Sequence, residues 1–118
     1  MYSKIALSIG GSDSGGGAGI QADLRTFMAL KVHGCSVITC ITAQNSIDVA
    51  CVEAVEKNTL YSQLDTLFAD FGIDALKTGM LLNERIINDD LGGRAQILFC
   101  KNFLRIFQQI ILLFVLNL

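Results

Sequence analysis

Six of the ten residues from Gly10 to Gly19 are glycine, and a carboxylate, Asp23, follows one helical turn later. A glycine-rich turn between a strand and a helix lets backbone N–H groups approach a ligand and aims the positive end of the helix dipole at it. Three readings of this turn compete. A phosphate loop of the form GxxxxGK[ST] fails because no lysine follows the glycines. A dinucleotide fingerprint GxGxxG/A can be laid on Gly17, Gly19 and Ala22, but it starts late, and Thr39–Thr42 stands where its acidic residue belongs. The third reading is a flexible turn with no ligand. Against it, glycines clustered at the end of a strand usually mark close approach of the backbone to something.

Other polar groups lie where such a ligand would sit. Gln44 and Asn45 follow an apolar stretch, and an amide side chain sets a donor beside an acceptor, which suits an aminopyrimidine edge better than a phosphate. Asp23 either faces the cleft, taking a ligand N–H or O–H, or is a solvated carboxylate favoured near a helix N-terminus. Asp13 is expected to form an Asx-type turn. Lys77, ahead of Thr78-Gly79-Met80, either reaches a phosphate or is an exposed lysine at a strand end.

The elements that must position these groups follow from periodicity. Ile5–Ile9 reads as a buried first strand and Gly10–Gly19 as a loop. From Ala18, Ile20, Leu24, Phe27, Met28 and Leu30 fall at helical spacing, the helix ending near Lys31. Cys35–Thr42 is β-branched and nearly all apolar, as in a strand covered on both faces. Ala43–Ala50 reads as a polar turn, and Cys51–Val55 alternates like a short edge strand. Asn58 and Thr59 are cap candidates for a helix whose face is Leu60, Leu64, Leu67, Phe68 and Phe71, stopped at Gly72. Ile73–Leu76 is a further short strand. Strands alternating with helices predict an α/β fold with a mostly parallel sheet and ligands at the carboxyl ends of the strands.

The 118 residues allow one domain, and 52% apolar with 17% charged residues excludes a disordered chain. A net charge of −2 gives no footprint for nucleic acid or an anionic membrane. Cys35, Cys40, Cys51 and Cys100 form no CxxC pair and His33 is the sole histidine, which argues against structural zinc and for a reduced cytoplasmic protein with buried thiols. The apolar stretch after Lys4 is too short for a signal-peptide core, and the longest apolar run, Ile110–Leu116, is too short to span a membrane. Composition shifts after Leu82. In residues 95–118, 17 of 24 are apolar, and that stretch reads as an amphipathic helix that becomes wholly apolar.

Three segments in order, SIGGSDSGGGAGIQADLRTF, GCSVITCITAQN and DALKTGML, resemble the N-terminal part of the hydroxymethylpyrimidine/phosphomethylpyrimidine kinases of thiamine biosynthesis, in the ribokinase-like superfamily. The resemblance covers residues 4–82. Ser14 stands where that family usually has proline and Gly15 where it has serine, while the core Gly16–Asp23 is intact. It implies a partial ribokinase-like domain over residues 1–82, which leaves 83–118 as a divergent apolar tail, read as helical from its spacing. It further implies ATP- and Mg2+-dependent phosphorylation of hydroxymethylpyrimidine and then of its monophosphate. Gln44 would hold the pyrimidine edge, Gly11 and Asp23 would line the same pocket, and Met80 would contact the ring.

The same resemblance assigns the nucleotide and the catalytic residue to a later part of the family's fold, with a GTGC-type glycine motif that this sequence does not contain. No catalytic, ATP-binding or metal residue is therefore assigned. From about Leu91 the sequence no longer follows the family pattern, as a shifted reading frame or an unusual natural tail would produce. The expectation is a truncated kinase that keeps much of its substrate pocket; the alternative is a catalytically dead binding or interaction fragment. Expected partners are a small-molecule pyrimidine and either a second copy or a full-length kinase. Pyrimidine against pyridoxal-type preference is left open.

Overall fold

In the computed structural model, which describes residues 4–82, the first apolar run does not stop at Ile9. Strand β1 spans Ile5–Asp13, followed by helix α1 (Gly19–Ala29), strands β2 (His33–Gln44) and β3 (Val49–Ala54), helix α2 (Lys57–Asp70) and strand β4 (Ala75–Thr78). The sheet order is β3-β2-β1-β4. β1 pairs in parallel with both β2 and β4, and β3 runs antiparallel to β2 at the edge. The α/β fold with a largely parallel sheet is as expected. The helical apolar tail and Cys100 lie outside the described residues.

Several expected boundaries change for physical reasons. Gly10 and Gly11 are strand, not loop: Gly10 pairs with Ile38, and the ladder resumes at Ser12–Ile41, so two residues of β2, Thr39 and Cys40, face the single Gly11. A Cβ on Gly11 would lie 2.8 Å from the Cys40 sulfur and 3.1 Å from Met80 Cε, so a bare backbone is required there. β2 also runs two residues past Thr42, carrying Gln44 on its last position rather than in a turn. α1 ends at Ala29, and Lys31, at φ 58°, takes the left-handed turn that glycine would usually supply. Asn58 and Thr59 fall inside α2, whose N-cap Glu56 makes no side-chain cap bond; backbone bonding from Leu60 to Glu56 sets that end.

The core is narrow and centred on β1 and β2. Leu7, Ile9, Val37 and Cys40 are buried with Ile20 from α1 and Leu60 from α2. α1 packs over β1 and β2, with Leu24 and Phe27 over the backbone of Gly34. Beyond the end of β3, Gln63 of α2 extends the ladder by side chain: Ile38 N–H donates to its Oε1 at 2.9 Å and its Nε2 donates to Ile38 C=O at 3.1 Å. At the amino end of the sheet, Lys4 bonds Asp74 at 2.8 Å, and Ile5 N–H donates to the other oxygen of Asp74 at 2.9 Å. β3 is exposed along its length, including Cys51, which corrects the expectation of uniformly buried thiols; Cys35 and Cys40 are buried. Among the described residues no helix is long and apolar enough to cross a membrane.

Candidate functional site

The carboxyl ends of β1, β2 and β4 and the start of α1 enclose a cleft of about 280 Å³. Gly11, Asp23, Gln44 and Met80, singled out from the sequence at four separate points of the chain, all line it, as does Lys77. The placement follows the general rule that ligands of parallel α/β sheets sit beyond the carboxyl ends of the strands.

The turn from β1 into α1 is held by Asp13, a buried carboxylate. Its Oδ1 accepts Gly15 N–H and its Oδ2 accepts Ala18 N–H, each at 2.8 Å, while its carbonyl accepts Gly16 N–H at 3.0 Å. The Asx-turn reading is thus correct and incomplete, since the carboxylate spans the whole turn. Burial alone would raise its pKa, but the backbone N–H donors outweigh that and hold it below the ordinary carboxylate range. Gln21 accepts Asp13 N–H on Oε1 at 2.8 Å and donates from Nε2 to Ser12 Oγ at 2.7 Å, tying helix to strand. Arg25 donates to the Gly16 carbonyl. Gly19 opens the helix at φ 61°, and a Cβ there would lie 2.5 Å from the Gly11 carbonyl oxygen.

Asp23 faces the cleft rather than bulk water. Its Oδ2 accepts both Ser8 Oγ–H and Lys77 Nζ–H at 2.6 Å. Ser8 and Lys77 are paired across β1 and β4, which puts both on the sheet face that α1 covers. Burial works against the Asp23 charge, yet the Lys77 and Ser8 hydrogen bonds and the lysine's charge outweigh it, so its pKa is lowered. Lys77 is thus neither a bare exposed lysine nor an isolated cation.

Gln44 is held chiefly by its backbone. Its N–H donates to Ser14 Oγ at 2.7 Å and its carbonyl accepts Ser14 Oγ–H at 2.6 Å. The Thr42 hydroxyl has one proton, bonded at 2.7 Å to the Ser12 carbonyl, and its 3.3 Å approach to Gln44 Oε1 is the weaker contact. The Gln44 amide therefore keeps donor and acceptor capacity for a ligand. Asn45 turns away from that role: its Oδ1 accepts Ile47 and Asp48 N–H and shapes the β2–β3 turn. Met80 is half exposed, and its carbonyl is fixed by the buried Thr39 hydroxyl at 2.7 Å.

Sequence reasoning missed Ser8, Gln21, Thr39 and Thr42, which hold the named residues in place. Ser8 could have been found as a hydroxyl interrupting a buried strand. Among the described residues no three His, Cys, Asp or Glu side chains gather to hold a metal ion.

A family model described as phosphomethylpyrimidine kinase matches residues 13–89. The hydroxymethylpyrimidine/phosphomethylpyrimidine kinase of Synechococcus elongatus is 58% identical over 87 residues, 74% of this chain and 33% of that protein. A crystal structure of phosphomethylpyrimidine kinase from Clostridium difficile superposes with a TM-score of 0.71 at 46% identity, covering 75% of this chain and 41% of that one. A pyridoxal kinase from Staphylococcus aureus, solved with AMP-PCP and pyridoxal, gives 0.65 at 39% identity over 73% and 32% of the two chains. The chain spans about a third of the length of the curated relatives it matches.

Proposed function

The chain belongs to the phosphomethylpyrimidine kinase family, and from that premise we propose that residues 4–82 hold the pyrimidine of an ATP-dependent kinase acting on hydroxymethylpyrimidine and its monophosphate. One observation carries the reading: Gly11, Asp23, Gln44 and Met80 converge on one cleft at the carboxyl ends of the strands. An aminopyrimidine presents a ring-nitrogen acceptor beside an amino donor, the complement of the Gln44 amide. Met80 offers a polarizable apolar surface for the ring, and the bare backbone of Gly11 lets the ring lie close to the strand. Asp23, ionised and anchored by Ser8 and Lys77, accepts an N–H or O–H of the substrate and fixes its orientation.

Phosphoryl transfer depends on positioning and on neutralising developing charge. In this proposal the described residues supply the positioning of the acceptor, while ATP and Mg2+ are held outside residues 4–82. The free, buried thiols of Cys35 and Cys40 accord with a reducing, cytoplasmic setting. Titration calorimetry of the chain with hydroxymethylpyrimidine tests the binding half. Saturable binding that Gln44→Ala weakens tenfold or more supports the reading, and absence of binding overturns it. An assay of phosphate transfer from ATP then separates a kinase from the second reading, a substrate-binding fragment without turnover. The pyridoxal kinase likeness makes pyridoxal the comparison ligand in both measurements.

A further inference from the structure

Lys77 lines the cleft as its one basic side chain among the described residues, beside the two carboxylates Asp13 and Asp23. Asp13 is committed to backbone N–H groups of the turn. Asp23 is held at Oδ2 by Ser8 as well as by Lys77, so it stays anchored whether or not the lysine leans on it. An ammonium carries three N–H donors, and Asp23 takes one of them. The Lys77 side chain lines the cleft and is 49% exposed, against 19% for Asp23, so its remaining donors stay accessible. A neutral alcohol has little use for this cation. A phosphate monoester, with roughly 1.5 to 2 negative charges near neutral pH, has a strong one.

We propose that Lys77 determines how this cleft discriminates phosphorylated from unphosphorylated pyrimidine, by giving the monophosphate its cationic partner while Ser8 keeps Asp23 in place. The inference rests on the pyrimidine-kinase reading and specifies the substrate preference of that same site. Removing the lysine charge both deletes the phosphate's partner and leaves the Asp23 carboxylate uncompensated. Both changes act far more strongly on a dianion than on a neutral ligand.

The test is calorimetric titration of the full chain, and of Lys77→Met, with hydroxymethylpyrimidine and with its monophosphate. The expected result for Lys77→Met is a loss for the monophosphate at least tenfold greater than the loss for the alcohol. Lys77→Arg should restore most of the preference. Equal losses for both ligands would mean that Lys77 only braces Asp23, and unchanged ratios would mean that it does not meet the phosphate; either overturns the inference. Circular dichroism shows whether the variants fold. Should they not, the unmodified chain decides: its affinity for the monophosphate must fall with rising salt while that for the alcohol holds. If the unmodified chain binds neither ligand, the pyrimidine reading has failed and this one with it. If the alcohol binds and the preference ignores Lys77, this inference alone fails.

Discussion

Two aspartate–lysine pairs clamp the side of the sheet where β1 meets β4, one at each end. Lys4 and Asp74 meet at 2.8 Å at the amino end, Lys77 and Asp23 at 2.6 Å at the carboxyl end. The chemistry is the same and the surroundings are not. Lys4 is 67% exposed and Asp74 35%, and Asp74 spends its second oxygen on the N–H of Ile5, the first residue of β1. Asp23 is more deeply set, shares one oxygen between Lys77 and Ser8, and faces a cleft. The first pair fastens a chain end. The second keeps a carboxylate ionised against the cost of burial and sets it on the wall of a cleft. An ion pair becomes part of a binding site through what surrounds it.

The comparison can be broken most forcefully at the carboxyl end. Gly19→Ala places a Cβ against the Gly11 carbonyl at a left-handed backbone position. It should cost about 2 kcal/mol or more of stability, read from urea midpoints, and abolish pyrimidine binding. Asp23→Ala removes the shared acceptor of Ser8 and Lys77. A loss of about 1–2 kcal/mol is expected, at the low end for charged hydrogen bonds because Lys77 is half exposed, together with at least tenfold weaker pyrimidine binding. Asp74→Ala should cost roughly 1 kcal/mol, since it loses an exposed ion pair and a backbone acceptor, and leave binding within about twofold. If it weakens binding as much as Asp23→Ala, the distinction between the two ends collapses.

Acid sharpens the same contrast. Asp23 has a lowered pKa in the folded chain, so its contribution to stability is present above the unfolded carboxylate value of about 3.9 and is lost as the pH falls through the folded value. The melting-temperature gap between the unmodified chain and Asp23→Asn should be constant from about pH 7 to 5 and close below about pH 4. The smallest effect belongs to the exposed edge strand, where Val52→Thr on β3 should change stability by less than about 0.5 kcal/mol and binding not at all.

Much of this was legible in the residues. Ile5–Ile9, Cys35–Thr42 and the Leu60-to-Phe71 face announced themselves by period, because apolar spacing is a local property. Gln44, Asp23, Gly11 and Met80, named from separate motifs, line one cleft. Glycine misled at Gly10 and Gly11, because a residue that signals turns also serves where a strand has no room for a side chain. Asn58 and Thr59 misled as caps because α2 already starts at Lys57, with Glu56 as its N-cap. The Ser8–Asp23–Lys77 cluster was hidden for another reason: it joins a strand, a helix and a strand, Asp23 and Lys77 alone lying 54 residues apart, and only sheet register sets Ser8 beside Lys77.

The extra residue in β2 opposite Gly11 also acts as a phase shift. Before it the buried positions of β2 are odd, Cys35, Val37 and Thr39; after it they are even, Cys40 and Thr42. Gln44 belongs to the second phase. Were the alternation to run unbroken through the same residues, with no bulge, Gln44 would fall on the far side of the sheet from Cys35 and Val37, its chemistry intact and the cleft out of reach. The strand thus works as a reading frame for side chains, and one out-of-step residue decides which face the amide is read on.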